Sequence, residues 1–157
     1  REALDEFSIA TNLGYDEPAV KLGIAKARQG AGDSVESIID AYNAVLEDMP
    51  VDKESNTALA RLYRQKAAQT RRSVEPRVVP AEDLDSAVNM LTPDSIEAAT
   101  IPDSQKSSQL YTLAIAHLTI PPVHVNYAIE LLRRSLAIEP RKETYSWLGE
   151  AHGRLAA

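Results

Sequence analysis

Three histidines, scattered carboxylates and a block of arginines are the side chains in this sequence with a potential for chemistry. His117 and His152 fall at matching places in two stretches that begin with Leu and a small residue, Leu113-Ala114 and Leu148-Gly149. Two imidazoles at one structural position could form a ligand pair or titrate together near neutral pH. Packing in place of an aromatic ring is the simpler reading. No carboxylate stands four residues from either His, and a metal wants three or four convergent ligands. His124, after Pro121-Pro122, reads as a loop residue. No Ser lies in a Gly-x-Ser-x-Gly elbow. Gly30-x-Gly32 lacks a third Gly and follows a helical pattern, so it is not a dinucleotide loop. Asp83/Asp85 and Glu47/Asp48 read as solvated helix ends. The absence of Cys removes disulfides, thiolate zinc sites and a thiol nucleophile. The expectation is a protein that is not an enzyme, with no catalytic residue, metal site or cofactor.

Charge is more informative. The 157 residues carry 17 Lys+Arg against 23 Asp+Glu, a net charge of −6 that argues against general nucleic-acid binding. The distribution is uneven. Arg61, Arg64, Lys66, Arg71, Arg72 and Arg77 stand against the single acid Glu75. Glu82, Asp83, Asp85, Asp94, Glu97 and Asp103 follow without a base. The acidic stretch is expected to fold back on the basic helix as an antiparallel partner. The alternative is a basic stripe that binds an acidic peptide segment or, less favoured, RNA.

These side chains must be held by helices. With 44% apolar and 25% charged residues, the chain has an ordinary globular composition and enough length for a core. Apolar residues recur at helical spacing: Leu4, Phe7, Ile9, Leu13; then Val20, Leu22, Ile24, Ala25; then Ile38, Ile39, Tyr42, Val45, Leu46; then Leu59, Leu62, Tyr63. Pro18 sits near the start of the second helix, Gly30-Ala31-Gly32 ends it, Asp33 or Ser34 caps the third, Pro50 stops it, and Asp52 caps the fourth. Ala81–Leu91 reads as a short helix, and Thr92-Pro93 with Ile101-Pro102 bracket another turn. Arg77-Val78-Val79-Pro80 is too short for a strand. The class is all-α. Ser107–Ile129 has no formal charge, but its apolar run falls short of the ~20 residues of a membrane span, so no span is expected. Arg1–Phe7 has no apolar signal-peptide core. The chain opens at Arg1 without Met and is expected to be a piece of a longer protein.

An internal repeat is visible. Leu22-Gly23, Leu59-Ala60, Leu113-Ala114 and Leu148-Gly149 each open a similar segment, in which the small residue lets a neighbouring helix approach closely. Ile38, Tyr42, Val45 and Pro50 correspond to Ala128, Leu132, Ser135 and Pro140. The stretch Tyr127-Ala128-Ile129-Glu130-Leu131-Leu132-Arg133-Arg134-Ser135-Leu136-Ala137-Ile138-Glu139-Pro140, followed by Tyr145-Ser146-Trp147-Leu148-Gly149, resembles the tetratricopeptide repeat (TPR). The resemblance covers roughly residues 1–65 and 107–157, leaving an irregular segment at about 66–106. It departs from the family at Ile38, where Ala is usual, and in the longer loops Gly30–Ser34 and Thr119–His124.

The resemblance implies a single domain over 1–157: a right-handed α-α superhelix of about three to four helix hairpins, with the first helix of each lining a concave groove. The groove positions carried over residue by residue are Ala27 and Arg28; Thr57, Arg61, Arg64 and Gln65; Tyr111, Ile115 and Leu118; and Ser146, Glu150 and Arg154, with Trp147 at the edge. Arg can fork a carboxylate while Tyr or Trp supplies apolar area. The carboxylate clamp of chaperone co-factors is missing, since Val20 and Ile24 occupy its places. The expected function is a non-catalytic adaptor or scaffold that holds a protein or peptide segment, with acidic residues favoured. The alternatives are a structural subunit of a larger complex, or the regulatory TPR domain of a larger enzyme. The last helix, Arg141–Ala157, is expected to be unpaired and to expose Tyr145, Leu148 and Leu155, inviting a homo-oligomer through the C-terminal helix.

Overall fold

The computed structural model describes residues 18–70 and 80–157. The helix read over Leu4–Leu13, and Arg71, Arg72, Glu75 and Arg77 of the charged stretch, lie outside the described residues. Eight helices are present among those described: α1 Pro18–Gly30, α2 Val35–Asp48, α3 Lys53–Gln69, α4 Ala81–Met90, α5 Pro93–Ala98, α6 Asp103–Thr119, α7 Val125–Ile138 and α8 Lys142–Ala156. The protein is all-α, as its periodicity implies. None of these helices is long and apolar enough to cross a membrane.

Local chemistry sets most of the boundaries. Ser34 caps α2, its hydroxyl accepting from the Ser37 amide at 3.2 Å. Gly32 turns the chain between α1 and α2 at φ +73°, a conformation that suits Gly. Asp52 caps α3 by accepting from the Ser55 amide at 3.0 Å and from its hydroxyl at 2.5 Å. Asp52→Ala is expected to cost about 1 kcal/mol of unfolding free energy, read by urea denaturation, because two donors lose their acceptor. Thr92 and Ser95 form a reciprocal capping box at the start of α5, where Pro93 occupies the first turn.

The tertiary arrangement departs from chain order. The most extensive packing joins α3 to α8, helices separated by most of the chain. Neighbours in space run α1, α2, α3, α8, α7, α6, with α4 and α5 against the far side of α6. Two three-helix units, α1–α3 and α6–α8, therefore meet through their third helices. Within the second unit, Ser107 and Ser135 bond each other's side chain and carbonyl at 2.8–3.1 Å, drawing α6 close to α7.

Contacts between the units are reciprocal. Equivalent positions lie about 90 residues apart, so Asn56 corresponds to Tyr145 and Tyr63 to His152. Asn56 Oδ1 meets His152 Nδ1 at 2.8 Å, and Tyr145 in turn stacks on Tyr63 at 6.4 Å. Tyr63 and His152 stack on each other at 5.5 Å, and Ala60 faces its counterpart Gly149. This is the pattern of an isologous interface, formed here between two halves of one chain, with α3 and α8 antiparallel.

Two expectations need correction. The final helix is not unpaired: α8 lies against α3 and α7, Leu148 is fully buried, and Tyr145 and Leu155 pack against the core. The apolar face that motivated a homo-oligomer through the C-terminal helix is covered from within the chain. The acidic segment also does not fold onto basic α3. The place beside α3 belongs to α8, and acidic α4 and α5 pack on α6 instead. α6 offers the apolar surface they need, burying Leu110, Leu113 and Leu118, while Ala87 and Ile96 supply the anchors of α4 and α5.

Candidate peptide-binding face

The Leu-small pattern brings α3 and α8 close, and this creates an unusual surface. Arg64 lies across α8 over two glycines. A Cβ at Gly149 would stand 2.9 Å from Arg64 Cγ, and one at Gly153 would stand 3.2 Å from an Arg64 terminal nitrogen. Arg61, Arg64 and Gln65 of α3 are exposed. Neither arginine has a carboxylate in ion-pairing range among the described residues, and Arg61 lies near the Tyr42 ring of α2. Thr57 is exposed and turns its hydroxyl back onto the Lys53 carbonyl at 2.8 Å.

Beside Arg64, α8 contributes Ser146, Trp147, Glu150 and Arg154, which line a shallow depression of about 250 Å³. Arg154 is anchored twice: to Glu150 at 3.3 Å, and to the Leu118 carbonyl in the last turn of α6 at 2.8 Å. A cation suits that helix end, where carbonyls have no helical partner. Trp147 is half-buried, and its indole beside the Tyr111 phenol of α6 partly offsets the burial that raises that phenol above its usual pKa.

The structure therefore gathers Trp147, Glu150 and Arg154 on the helix that Arg64 crosses at Gly149 and Gly153, and separates the other expected residues from them. Arg28 bonds Ser37 at 2.9 Å and ties α1 to α2. Tyr111 and Ile115, expected to line a groove, are buried at 7% and 6% exposure. They are core residues, because α4, α5, α7 and α8 all cover α6.

The histidines pack against rings and polar side chains. Asn56 donates its amide to the Pro50 and Asp52 carbonyls at 3.2 and 3.0 Å, which leaves its oxygen facing His152. His152 Nδ1 therefore carries the hydrogen and Nε2 is bare, buried without a partner. Burial first, then the charge of Arg133, lowers its pKa to about 4. His117 does not pair with His152. It meets Tyr127 edge-on at 4.8 Å and His124 at 5.8 Å, and burial lowers its pKa. Among the described residues no group of three His, Asp or Glu is placed to hold a metal ion.

Sequence reasoning missed a second concavity, between α2 and α7. Its two depressions, about 300 and about 180 Å³, share Asn43 and Arg133. The signal was present in the repeat, since Ile39 matches Ile129, Asn43 matches Arg133 and Leu46 matches Leu136. Each half supplies one wall, so neither half shows the groove alone.

Fold and surface together define an all-α helical array with an open, arginine-bearing face. Comparison of the chain with protein-family models, with curated proteins and with solved structures finds no match.

Proposed function

We propose that this chain is a non-catalytic interaction module, an array of tetratricopeptide-like helix hairpins that holds an acidic protein segment against the α3·α8 face. The observation that carries the reading is exposed Arg64, without an ion pair among the described residues, lying across the helix whose Trp147, Glu150 and Arg154 line a shallow depression. A guanidinium that is not tied to a neighbouring carboxylate is free to fork one from a partner. The Trp147 indole in that depression supplies rigid apolar area, and Trp and Arg are the residue types that dominate many interfaces. Glu150, already engaged by Arg154, steers a ligand's own acids toward α3.

The test is affinity purification with mass spectrometry from the native host, comparing wild type with Arg64→Glu in the full-length protein. Arg64 is exposed, so the variant is expected to fold, with an unchanged far-UV circular dichroism spectrum. Specific partners should be depleted at least tenfold, since reversing one interfacial charge typically costs more than 1.4 kcal/mol. Retention of every wild-type partner by Arg64→Glu defeats the reading.

A further inference from the structure

The groove between α2 and α7 lies on the opposite side of α3 and α8 from Arg64 and Trp147. Helical spacing sets this: Lys66 of α3, and Tyr145 and His152 of α8, line the groove roughly half a turn from Arg64 and Glu150, with Tyr63 about 100° from Arg64. α2 and α7 make no substantial contact with each other, and they run antiparallel. Glu36 and Ile39 share one depression with Leu136 and Ala137, and Leu46 and Pro50 share the other with Asn126 and Ile129.

The charges in this groove are ordered. Arg133 stands exposed at the waist between the depressions, with no ion pair among the described residues. Asp40 and Glu47, one in each depression, are likewise exposed and without an ion pair among the described residues. Lys66 is engaged by Glu36. An occupant complementary to this surface carries an acid at its centre and bases toward its ends.

The spacing selects a helix. Asp40 and Glu47 are two turns apart on α2, about 10.5 Å, which is the separation of side chains at i and i+7 on any α-helix. The wall itself is a helix of 14 residues, and its apolar members Ile39 and Leu46 repeat at the same interval. An extended peptide alternates faces every residue and would turn half its side chains away from two walls and a floor.

We propose that the α2–α7 groove is a second docking site that receives an amphipathic helix from another protein, with apolar anchors at i and i+7 in the two depressions, an acidic side chain at i+3 or i+4 on Arg133, and basic side chains toward Asp40 and Glu47. The recognition is helix-in-groove. With the opposite face already assigned to an acidic segment, the chain would join two partners back to back.

Panning phage-displayed random peptides of about 16 residues against the intact chain tests this. Enriched clones should show the i, i+7 apolar pattern with a central acid. Their affinity should fall at least tenfold on Arg133→Glu and on Asp40→Lys, and stay unchanged on Arg64→Glu. A synthetic clone with its central acid changed to Lys should recover binding to Arg133→Glu. All three substituted positions are exposed, and matching melting curves confirm folding. The proposal is overturned if no clone enriches, if clones ignore Arg133→Glu, or if they are blocked by Arg64→Glu alone. It is also overturned if sedimentation shows a dimer of the chain that Arg133→Glu dissolves, because the occupant is then a second copy. Failure here leaves the Arg64 result standing, and the reverse.

Discussion

Gly149→Leu is expected to lower the unfolding free energy by about 3 kcal/mol and the melting temperature by about 10 °C. Gly149 sits where α3 and α8 cross. Its missing Cβ leaves the space that the Ala60 carbonyl, 3.1 Å from a built Cβ, and the Arg64 side chain, 2.9 Å away, already use. The carbonyl belongs to a helical backbone and cannot swing aside. A four-carbon side chain must push the two helices apart, and this seam is the one that joins the halves. The helix propensity gained on replacing Gly, about 1 kcal/mol, works in the opposite direction and is too small to compensate. Gly30→Ala serves as the control: a Cβ there meets nothing within 4 Å, so stability should hold or rise slightly. Urea unfolding followed by circular dichroism measures both. Equal stability of Gly149→Leu and wild type would mean that α3 and α8 do not touch as described.

His152 makes the same seam sensitive to acid. Its folded pKa of about 4 lies below the ordinary 6.5 because burial, and then Arg133, disfavour the imidazolium. The unfolded chain therefore binds a proton before the folded one does. Titration of His152 costs nothing well above pH 6.5, and stability falls by ~1.4 kcal/mol per pH unit as pH drops from 6.5 toward 4, reaching about 3 kcal/mol. The Glu36 carboxyl, held below its usual range chiefly by its hydrogen bond from Lys66, loses its contribution only below pH 4.5, so the windows separate. His152→Phe keeps a ring on Tyr63 but removes the donor to Asn56 Oδ1. It should cost about 1 kcal/mol at pH 7.5, the lost bond being partly offset by removal of the unpaired Nε2. Below about pH 5.5 the order should reverse, with the variant more stable than wild type. Denaturation curves at five or six pH values decide this. Parallel curves for the two proteins would show that His152 titrates normally and is not buried in the seam.

Both results concern one helix pair, and both proposed docking surfaces depend on it. Arg64 and Trp147 ride on its outer side, and Tyr63, Tyr145 and His152 form the floor of the α2–α7 groove. Loosening α3 from α8 by bulk or by protonation should therefore weaken both together, whereas Arg64→Glu and Arg133→Glu should act separately.

Short-range chemistry was legible from residues alone. Ser34 and Asp52 cap the helices they precede, Pro50 and Pro140 follow helices that end before them, and the Gly30–Gly32 turn closes the first hairpin. The short helices within 81–98 were legible for the same reason. Each of these depends on hydrogen bonds and dihedral limits within a few residues. Leu followed by Gly or Ala also signalled correctly that α3 and α8 would nest closely against something. Periodicity marks which face of a helix is buried, yet it says nothing about what buries it. Four segments carry the same Leu-small start, so the pairing of α3 with α8 had no local signature. It emerges when Arg64 needs two positions without Cβ, when Asn56 needs the His152 donor, and when those requirements meet across about 90 residues of chain. For the same reason Tyr111 and Ile115 looked like ligand contacts until α6 was seen to be enclosed. Arg133 has no local signature of a site, and only the meeting of two halves of the chain places it at the waist of a groove.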